Sequence, residues 1–112
     1  MIASSALRGT RVIKVEGEVD LTCVARLQAH IDGAFAAGHS RFVIDLERVT
    51  FLDSTALHAL IRARERAHRA GGNVAVVSVD PSIRRVLDVF GLARATEIFE
   101  SADAAALSLA AV

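Results

Sequence analysis

Two short apolar runs constrain the fold of this chain more than any other feature. RFVIDL at residues 41–46 and NVAVVSV at 73–79 have the length and β-branched content of buried strands, and helical apolar stripes lie before, between and after them. Parallel strands need long crossover connections, usually helices. The chain is therefore predicted to be an α/β protein, with a mixed, mostly parallel sheet of four to five strands covered by about four helices.

The mixed character comes from the start of the sheet. TRVIKV at residues 10–15 predicts a strand, and Gly17 in the following GEVD predicts the turn of an opening hairpin. A short last strand is expected at 97–99, and a closing alanine-rich helix at 101–109. These elements fill the chain without a repeat or a low-complexity linker, which indicates one domain.

Three helices are predicted from apolar stripes and their terminal residues. The first, Leu21 to Ala37, is expected to be capped by Asp20 or Thr22, and the third by Asp80 with Pro81 in its first turn. The second ends at Gly71 and Gly72. The stripes, in chain order, are Leu21, Val24, Leu27, Ile31 and Phe35; Leu57, Leu60, Ile61, Ala67 and His68; and Ile83, Val86, Leu87 and Phe90.

Size and charge limit the possible classes of protein. The 112 residues suit a single domain, 1–112, in which 1–9 are expected to be a flexible start and 110–112 a tail. Thirteen Lys and Arg balance thirteen Asp and Glu, so no overall field favours nucleic acid or an anionic membrane. The sequence therefore predicts neither direct nucleic-acid binding nor membrane insertion. The protein is expected to be a monomer or a weak dimer.

The single cysteine and the lengths of the apolar runs indicate in which cellular compartment the protein is expected. Cys23 cannot form an internal disulfide, and a free thiol fits a reducing compartment. The first charge, Arg8, comes before an apolar run of signal-peptide length, and no stretch approaches the ~20 apolar residues of a membrane span. A cytoplasmic protein is predicted, with Cys23 a small core or boundary residue.

The sequence lacks the known catalytic and metal-binding signatures. The sequence has no GxSxG, HExxH, phosphate-binding glycine loop or paired-cysteine spacing. The four histidines are scattered: His68 is expected to be partly buried on an apolar face, and His30, His39 and His58 to lie at the surface. The chain is predicted not to be an enzyme, with no catalytic, cofactor-binding or metal-binding residues.

A basic ridge runs along the second predicted helix. Arg62, Arg66 and Arg69 recur at helical spacing, with Glu65 at their edge. Nucleic acid or an acidic partner could use such a ridge. A solvated face is the favoured interpretation, because no aromatic residue lies among the arginines and the net charge is zero.

Asp53, Ser54 and Thr55 form a polar cluster between an apolar strand and the second helix. Their short oxygen-bearing side chains can cap the helix by accepting hydrogen bonds from its unpaired N–H groups. The cluster also lies after the carboxyl end of a strand, where open α/β sheets place functional groups. It is therefore either a structural cap, a hydroxyl displayed for modification, or both.

VIDLERVTFLDSTALHAL, residues 43–60, closely resembles the anti-sigma factor antagonist family, which is built on the STAS domain. Members typically have a strand ending in Asp-Leu, a short loop, and then Asp-Ser-Ser/Thr-Gly-Leu. GEVDL at 17–21 resembles the family's Gly-Glu-Leu-Asp-Leu, and GLARATEIFES at 91–101 resembles its closing segment. The resemblance extends over about residues 10–109.

The resemblance implies a switch without catalytic activity. Ser54 would be the residue phosphorylated by a partner that is both a serine kinase and an anti-sigma factor, and Asp53 its flanking acid. The unmodified form would bind that partner and free the sigma factor, with Asp53, Ser54, Thr55, Ala56 and His58 as contact residues. Ala56 departs from the family pattern, which has glycine there.

Other functions of the same architecture remain open at this point. The resemblance also fits a subunit of an ATP-driven lipid transporter or a module of a stress-signalling assembly. In each the equivalent surface would bind a protein and no sigma factor would take part.

Overall fold

The computed structural model of the protein describes residues 1–110, apart from the side chains of residues 93 and 95. Within them it has the predicted α/β fold, with five strands and five helices; part of the expected tail, residues 111–112, lies outside the described residues. The strands are β1 (Ile2–Leu7), β2 (Thr10–Val19), β3 (Arg41–Leu52), β4 (Asn73–Val77) and β5 (Ile98–Phe99). The helices are α1 (Leu21–Ala36), α2 (Ser54–Arg69), α3 (Pro81–Val89), the single turn α4 (Leu92–Ala95) and α5 (Ala102–Ala110).

The five strands lie side by side in chain order. β1 runs antiparallel to β2, and β2 to β5 are parallel, so the predicted mixed sheet is confirmed. Each crossover moves one strand further in the same direction, and such connections are almost always right-handed. Their helices must therefore lie on one face of the sheet, which leaves the other face to α5.

The core has two layers that follow from this arrangement. Under α1, α2 and α3 lies the larger layer, in which Phe42, Ile44, Leu27 and Leu60 are fully buried. Under α5 lies a smaller layer made by the alternate strand residues, such as Val43, together with residues of α5. Alternating strand positions thus supply both layers.

The start of the chain differs from the prediction. Residues 2–7 were expected to be part of a flexible start, but they form β1, an edge strand paired along its whole length with β2. Arg8 and Gly9, with φ of 53° and 78°, form a two-residue turn of the type that joins twisted strands. Arg8 also donates to the Asp103 carboxylate at 2.6 Å, which ties the turn to α5.

Gly17 was wrongly predicted to be the turn of the opening hairpin. It lies inside β2, where the pairing with β3 shifts register on either side of it. Its φ of 87° is in the left-handed region that favours glycine, as in a β-bulge. A glycine in a bulge and a glycine in a turn give the same signal in the sequence, and only the strand that continues beyond it distinguishes them.

Three members of the predicted stripes are exposed. Leu21 is 71% exposed and Phe90 45%, because each lies at the end of its helix, beyond the core. His68 is exposed rather than partly buried. The buried face of α2 is centred on Ala63 and Ala67, and a helical rotation of ~100° per residue places His68 well away from it.

Candidate functional site

Three aspartates lie at the carboxyl ends of the parallel strands β2, β3 and β4. Asp20, Asp53 and Asp80 each begin the next helix, and each accepts a hydrogen bond from a backbone N–H in its first turn, at 3.0, 3.0 and 2.8 Å. Asp20, rather than the alternative Thr22, is the cap of α1. Parallel strands bring these caps to one edge of the sheet, as the βαβ topology requires.

Asp53 connects the starts of α1 and α2. Its backbone N–H donates to the Val19 carbonyl oxygen at 3.1 Å, which fastens it to the end of β2. Its Oδ1 accepts from the Ala56 N–H at 3.0 Å and from the Thr55 hydroxyl at 2.6 Å. The cap predicted for this cluster therefore exists, and Asp53 provides it.

The hydrogen bonds lower the pKa of the Asp53 carboxyl below its ordinary value. The Thr55 hydroxyl is the largest cause and the Ala56 N–H the next, because both stabilise the ionised form. The pKa of Asp20 is lowered in the same way, chiefly by Thr22, although the neighbouring charge of Asp53 opposes the shift. Two ionised carboxylates thus lie close together beside the start of α2.

Ser54 and Thr55 are in different environments although they are adjacent in sequence. Ser54 is the first residue of α2 and is exposed, and its hydroxyl has no hydrogen-bond partner within the described residues. Thr55 is half-buried and its hydroxyl is held by Asp53. Of the two hydroxyls, Ser54 is therefore the one presented to solvent.

The other two predicted contact residues are placed differently. His58 is exposed one turn after Ser54, on the same side of α2. Ala56 is fully buried in the larger core layer, so its side chain cannot touch a partner. Alanine is accommodated at this position because its methyl group packs into that core. The surface at the start of α2 thus comprises Asp53, Ser54, Thr55 and His58.

Two exposed apolar residues near this surface were missed by sequence reasoning. Leu21, assigned above to a buried stripe, is exposed, and its backbone N–H is near enough to Asp53 to help lower that pKa. Phe51, two residues before Asp53, is 49% exposed. No pattern in the sequence distinguishes these from core residues. Exposed apolar groups next to polar ones are typical of a protein-binding surface.

The predicted basic ridge lies further along α2, away from its start. Arg62, Arg66 and Arg69 are all exposed, as predicted for the ridge. Arg66 also packs on α1: it donates to Asp32 at 2.9 Å and lies 4.2 Å from the Phe35 ring centroid. Cys23 is buried, as expected. Among residues 1–110, no helix is both long and apolar enough to cross a membrane.

Comparison with known proteins identifies the family. The family model of the STAS domain matches residues 2–105 of the chain. The chain belongs to the STAS domain family. The fold supports this, because the solved structure of an anti-sigma factor antagonist from Mycobacterium paratuberculosis superposes with a TM-score of 0.89 at 27% identity, over 98% of this chain and 93% of that one.

Two proteins similar in sequence to this chain are named anti-sigma F factor antagonists. RsfB of Mycobacterium tuberculosis, named an anti-sigma-F factor antagonist, is 30% identical over 93 residues, which are 83% of this chain and 75% of the relative. An anti-sigma F factor antagonist of Paenibacillus polymyxa is 26% identical over 95 residues, 84% of this chain and 81% of the relative. The similarity thus extends over most of each protein.

Proposed function

We propose that this STAS domain is an anti-sigma factor antagonist of the cytoplasm. In its unphosphorylated form it binds an anti-sigma factor that is also a serine kinase, and this binding frees the sigma factor for transcription. Phosphorylation of Ser54 by that kinase ends the interaction. The protein itself catalyses nothing and needs no cofactor in this scheme. The names of its relatives support the class of partner.

The observation that carries the proposal is the difference between two adjacent hydroxyls. A kinase must bring the acceptor oxygen in line with the phosphate of ATP, so it needs a hydroxyl that is exposed and free to turn. Ser54 meets this need, whereas the Thr55 hydroxyl is bonded to Asp53 at 2.6 Å. Ser54 is therefore the acceptor and Thr55 a supporting residue.

The position of Ser54 explains how a phosphate can act on the partner without unfolding the domain. The first N–H groups and the dipole of a helix favour an anion at its start, so α2 tolerates a phosphate there. A partner that fits closely over Ser54 would have to accommodate added bulk and remove water from a dianion. Asp53 and Asp20 already place two carboxylates nearby, so a phosphate would add to a local negative charge that a partner fitted to the unmodified form does not balance.

The docking surface in this proposal combines polar and apolar groups. Asp53, Ser54 and His58 supply polar contacts at the start of α2, and the exposed side chain of Leu21 supplies an apolar one. Exposed apolar anchors that become buried contribute much of the energy of protein association. The partner is therefore expected to present an apolar pocket beside a region that accepts an acidic edge.

A release assay tests the proposed function. Purified chain is added to a complex of a kinase-type anti-sigma factor from the same organism with its sigma factor, and the free sigma factor is measured by gel filtration. Release by the unmodified chain, and its absence with ATP once Ser54 is phosphorylated, is the expected result. An unchanged complex together with binding of the chain to transporter subunits would overturn the proposal.

A further inference from the structure

The outer edge of β1 carries unpaired backbone groups. β1 pairs with β2 on one side and is the end strand of the sheet on the other. Its sequence, IASSAL, contains no charged residue and no proline, the usual protections of an exposed edge. The opposite edge strand, β5, is protected by its length of only two residues. The two edges therefore differ, and β1 is the one open to pairing.

The hydrogen bonds of the hairpin determine which groups face outward. Met1 and Glu16 bond in both directions, N to O at 3.0 Å and 2.9 Å, which makes them a hydrogen-bonded pair. Antiparallel strands alternate such pairs with non-bonded ones, so Ala3, Ser5 and Leu7 also bond to β2. The N–H and C=O groups of Ile2, Ser4 and Ala6 consequently point away from the sheet.

We infer that this edge of β1 binds a second copy of the chain, with the two β1 strands antiparallel about a twofold axis at Ser4. In an antiparallel pair, two facing residues either both direct their backbone N–H and C=O groups to the partner strand or both direct them away. The register centred on Ser4 satisfies this rule: Ser4 faces Ser4 of the copy and Ile2 faces Ala6. It uses every outward group of β1 in about six N–H···O=C bonds.

Helix α1 fits the same arrangement. A twofold axis perpendicular to the sheet places the two α1 helices side by side on one face. Ser4 Oγ and His30 Nδ1 lie 2.7 Å apart, so the middle of α1 lies beside the centre of β1. With strands ~4.8 Å apart, two helices that each cover β1 and β2 are separated by roughly 10 Å, a normal packing distance.

The residues of α1 nearest this edge allow such an approach. Ala29 and Gly33 are exposed and line a hollow of about 260 Å³ beside β1 together with Ser4, His30 and Arg11, whose guanidinium lies 3.3 Å from His39 Nε2. Neither Ala29 nor Gly33 has a side chain that would hold a second helix away. Arg8, the charged residue of the hairpin turn, is bonded to Asp103 of α5 on the other face. Its charge is therefore not placed to prevent a second strand from pairing with β1. The paired sheet would have ten strands and would leave Ser54 exposed.

Cysteine cross-linking tests the register directly. In a Cys23→Ser background, Ser4→Cys places two cysteines opposite each other at a Cα separation of about 5.5 Å, which a disulfide can bridge. Mild oxidation should convert this variant to a covalent dimer of twice the 11.9 kDa of one chain. Ser5→Cys is the matched control, because Ser5 faces Ala3 of the copy and lies on the other face. Equal cross-linking of both variants would overturn the inference.

Sedimentation velocity tests the surface without cross-links. The unmodified chain should show a dimer that increases with concentration, and Ala29→Glu should weaken it by at least about tenfold through repulsion between the two helices. Ala104→Glu, an equally exposed change on α5, should leave the dimer unchanged. A chain that remains monomeric at every concentration, or a dimer insensitive to Ala29→Glu, would contradict the proposal. Neither result depends on the proposed function, which the sigma-release assay tests separately.

Discussion

The Thr55 hydroxyl donates to Asp53 Oδ1 at 2.6 Å, so these two residues have a structural role that the neighbouring Ser54 does not share. Asp53 and Thr55 hold the start of α2, and Ser54 between them is left exposed. The structural and the functional interpretations of the cluster therefore apply to different residues of it. A cap that does not use Ser54 can persist when Ser54 is modified.

The first prediction concerns the site of phosphorylation. Incubation with the kinase-type anti-sigma factor and ATP should add one phosphate to the unmodified chain and to Thr55→Ala, and none to Ser54→Ala. The reason is that, of the two hydroxyls in the cluster, Ser54 is exposed and has no bond to Asp53, whereas Thr55 is bonded to it. Intact-mass spectrometry measures the number of phosphates. A phosphate that persists in Ser54→Ala would mean that another residue is the acceptor.

The second prediction concerns stability. Ser54→Ala should change the free energy of unfolding by no more than about 0.5 kcal/mol, because it removes an exposed side chain with no cap bond. Leu60→Ala, within the larger core layer, should cost about 2–5 kcal/mol. Denaturant titration compares the two variants. If Ser54→Ala were the more damaging, Ser54 would have a structural role that the hydrogen bonds do not reveal.

The third prediction concerns acid. The folded chain binds a proton at Asp53 less tightly than the unfolded chain, since hydrogen bonds lower the folded pKa. The resulting stability is present above the unfolded pKa of about 3.9 and is lost as the pH falls through the lower folded value. Asp53→Asn keeps a capping oxygen but cannot titrate, so it should flatten the fall in stability below about pH 4. If the unfolding midpoint of Asp53→Asn fell with acid as steeply as that of the unmodified chain, Asp53 would not be a cause of the acid sensitivity.

The fourth prediction concerns the apolar part of the docking surface. Leu21→Ser should weaken binding of the anti-sigma factor by about tenfold or more, a loss of at least about 1.4 kcal/mol, while the melting temperature changes little. The reason is that Leu21 is 71% exposed and close to Asp53. Leu107→Ser, an exposed leucine of α5 on the other face, is the control. Equal affinities for the two variants would remove Leu21 from the interface.

Local signals in the sequence predicted the parts of the fold that depend on neighbouring residues. The strands at RFVIDL and NVAVVSV, a cap within the cluster at 53–55 and the cap Asp80 follow from composition and spacing, and the structure contains all four. The strand bounds differ, because β3 continues through the expected loop to Leu52 and β4 ends at Val77. The crossover rule then led to the mixed, mostly parallel sheet. The strands and the caps each depend only on residues within about one turn or one strand, and the sheet follows from the order of these elements.

The errors arose where distant contacts decide. β1 is poor in β-branched residues, and its pairing with β2 and the bond from Arg8 to Asp103 stabilise it. Leu21 matches the apolar period of α1 but lies before the core begins. Local pattern alone could not distinguish Ser54 from Thr55 as the free hydroxyl, because the choice depends on which of them reaches Asp53, and only the family resemblance singled out Ser54.

The affinity of one anti-sigma factor for two forms of this chain tests the central claim most directly. Unmodified chain and chain phosphorylated at Ser54 are titrated into the same kinase-type anti-sigma factor, without ATP, in a calorimeter. The account predicts that phosphorylation weakens binding by about a hundredfold, as expected from the loss of two contacts of about 1.4 kcal/mol each. Ser54→Asp should bind weakly in the same way, and Ser54→Ala should bind like the unmodified chain. Equal affinity of the phosphorylated and unmodified forms would contradict the switch.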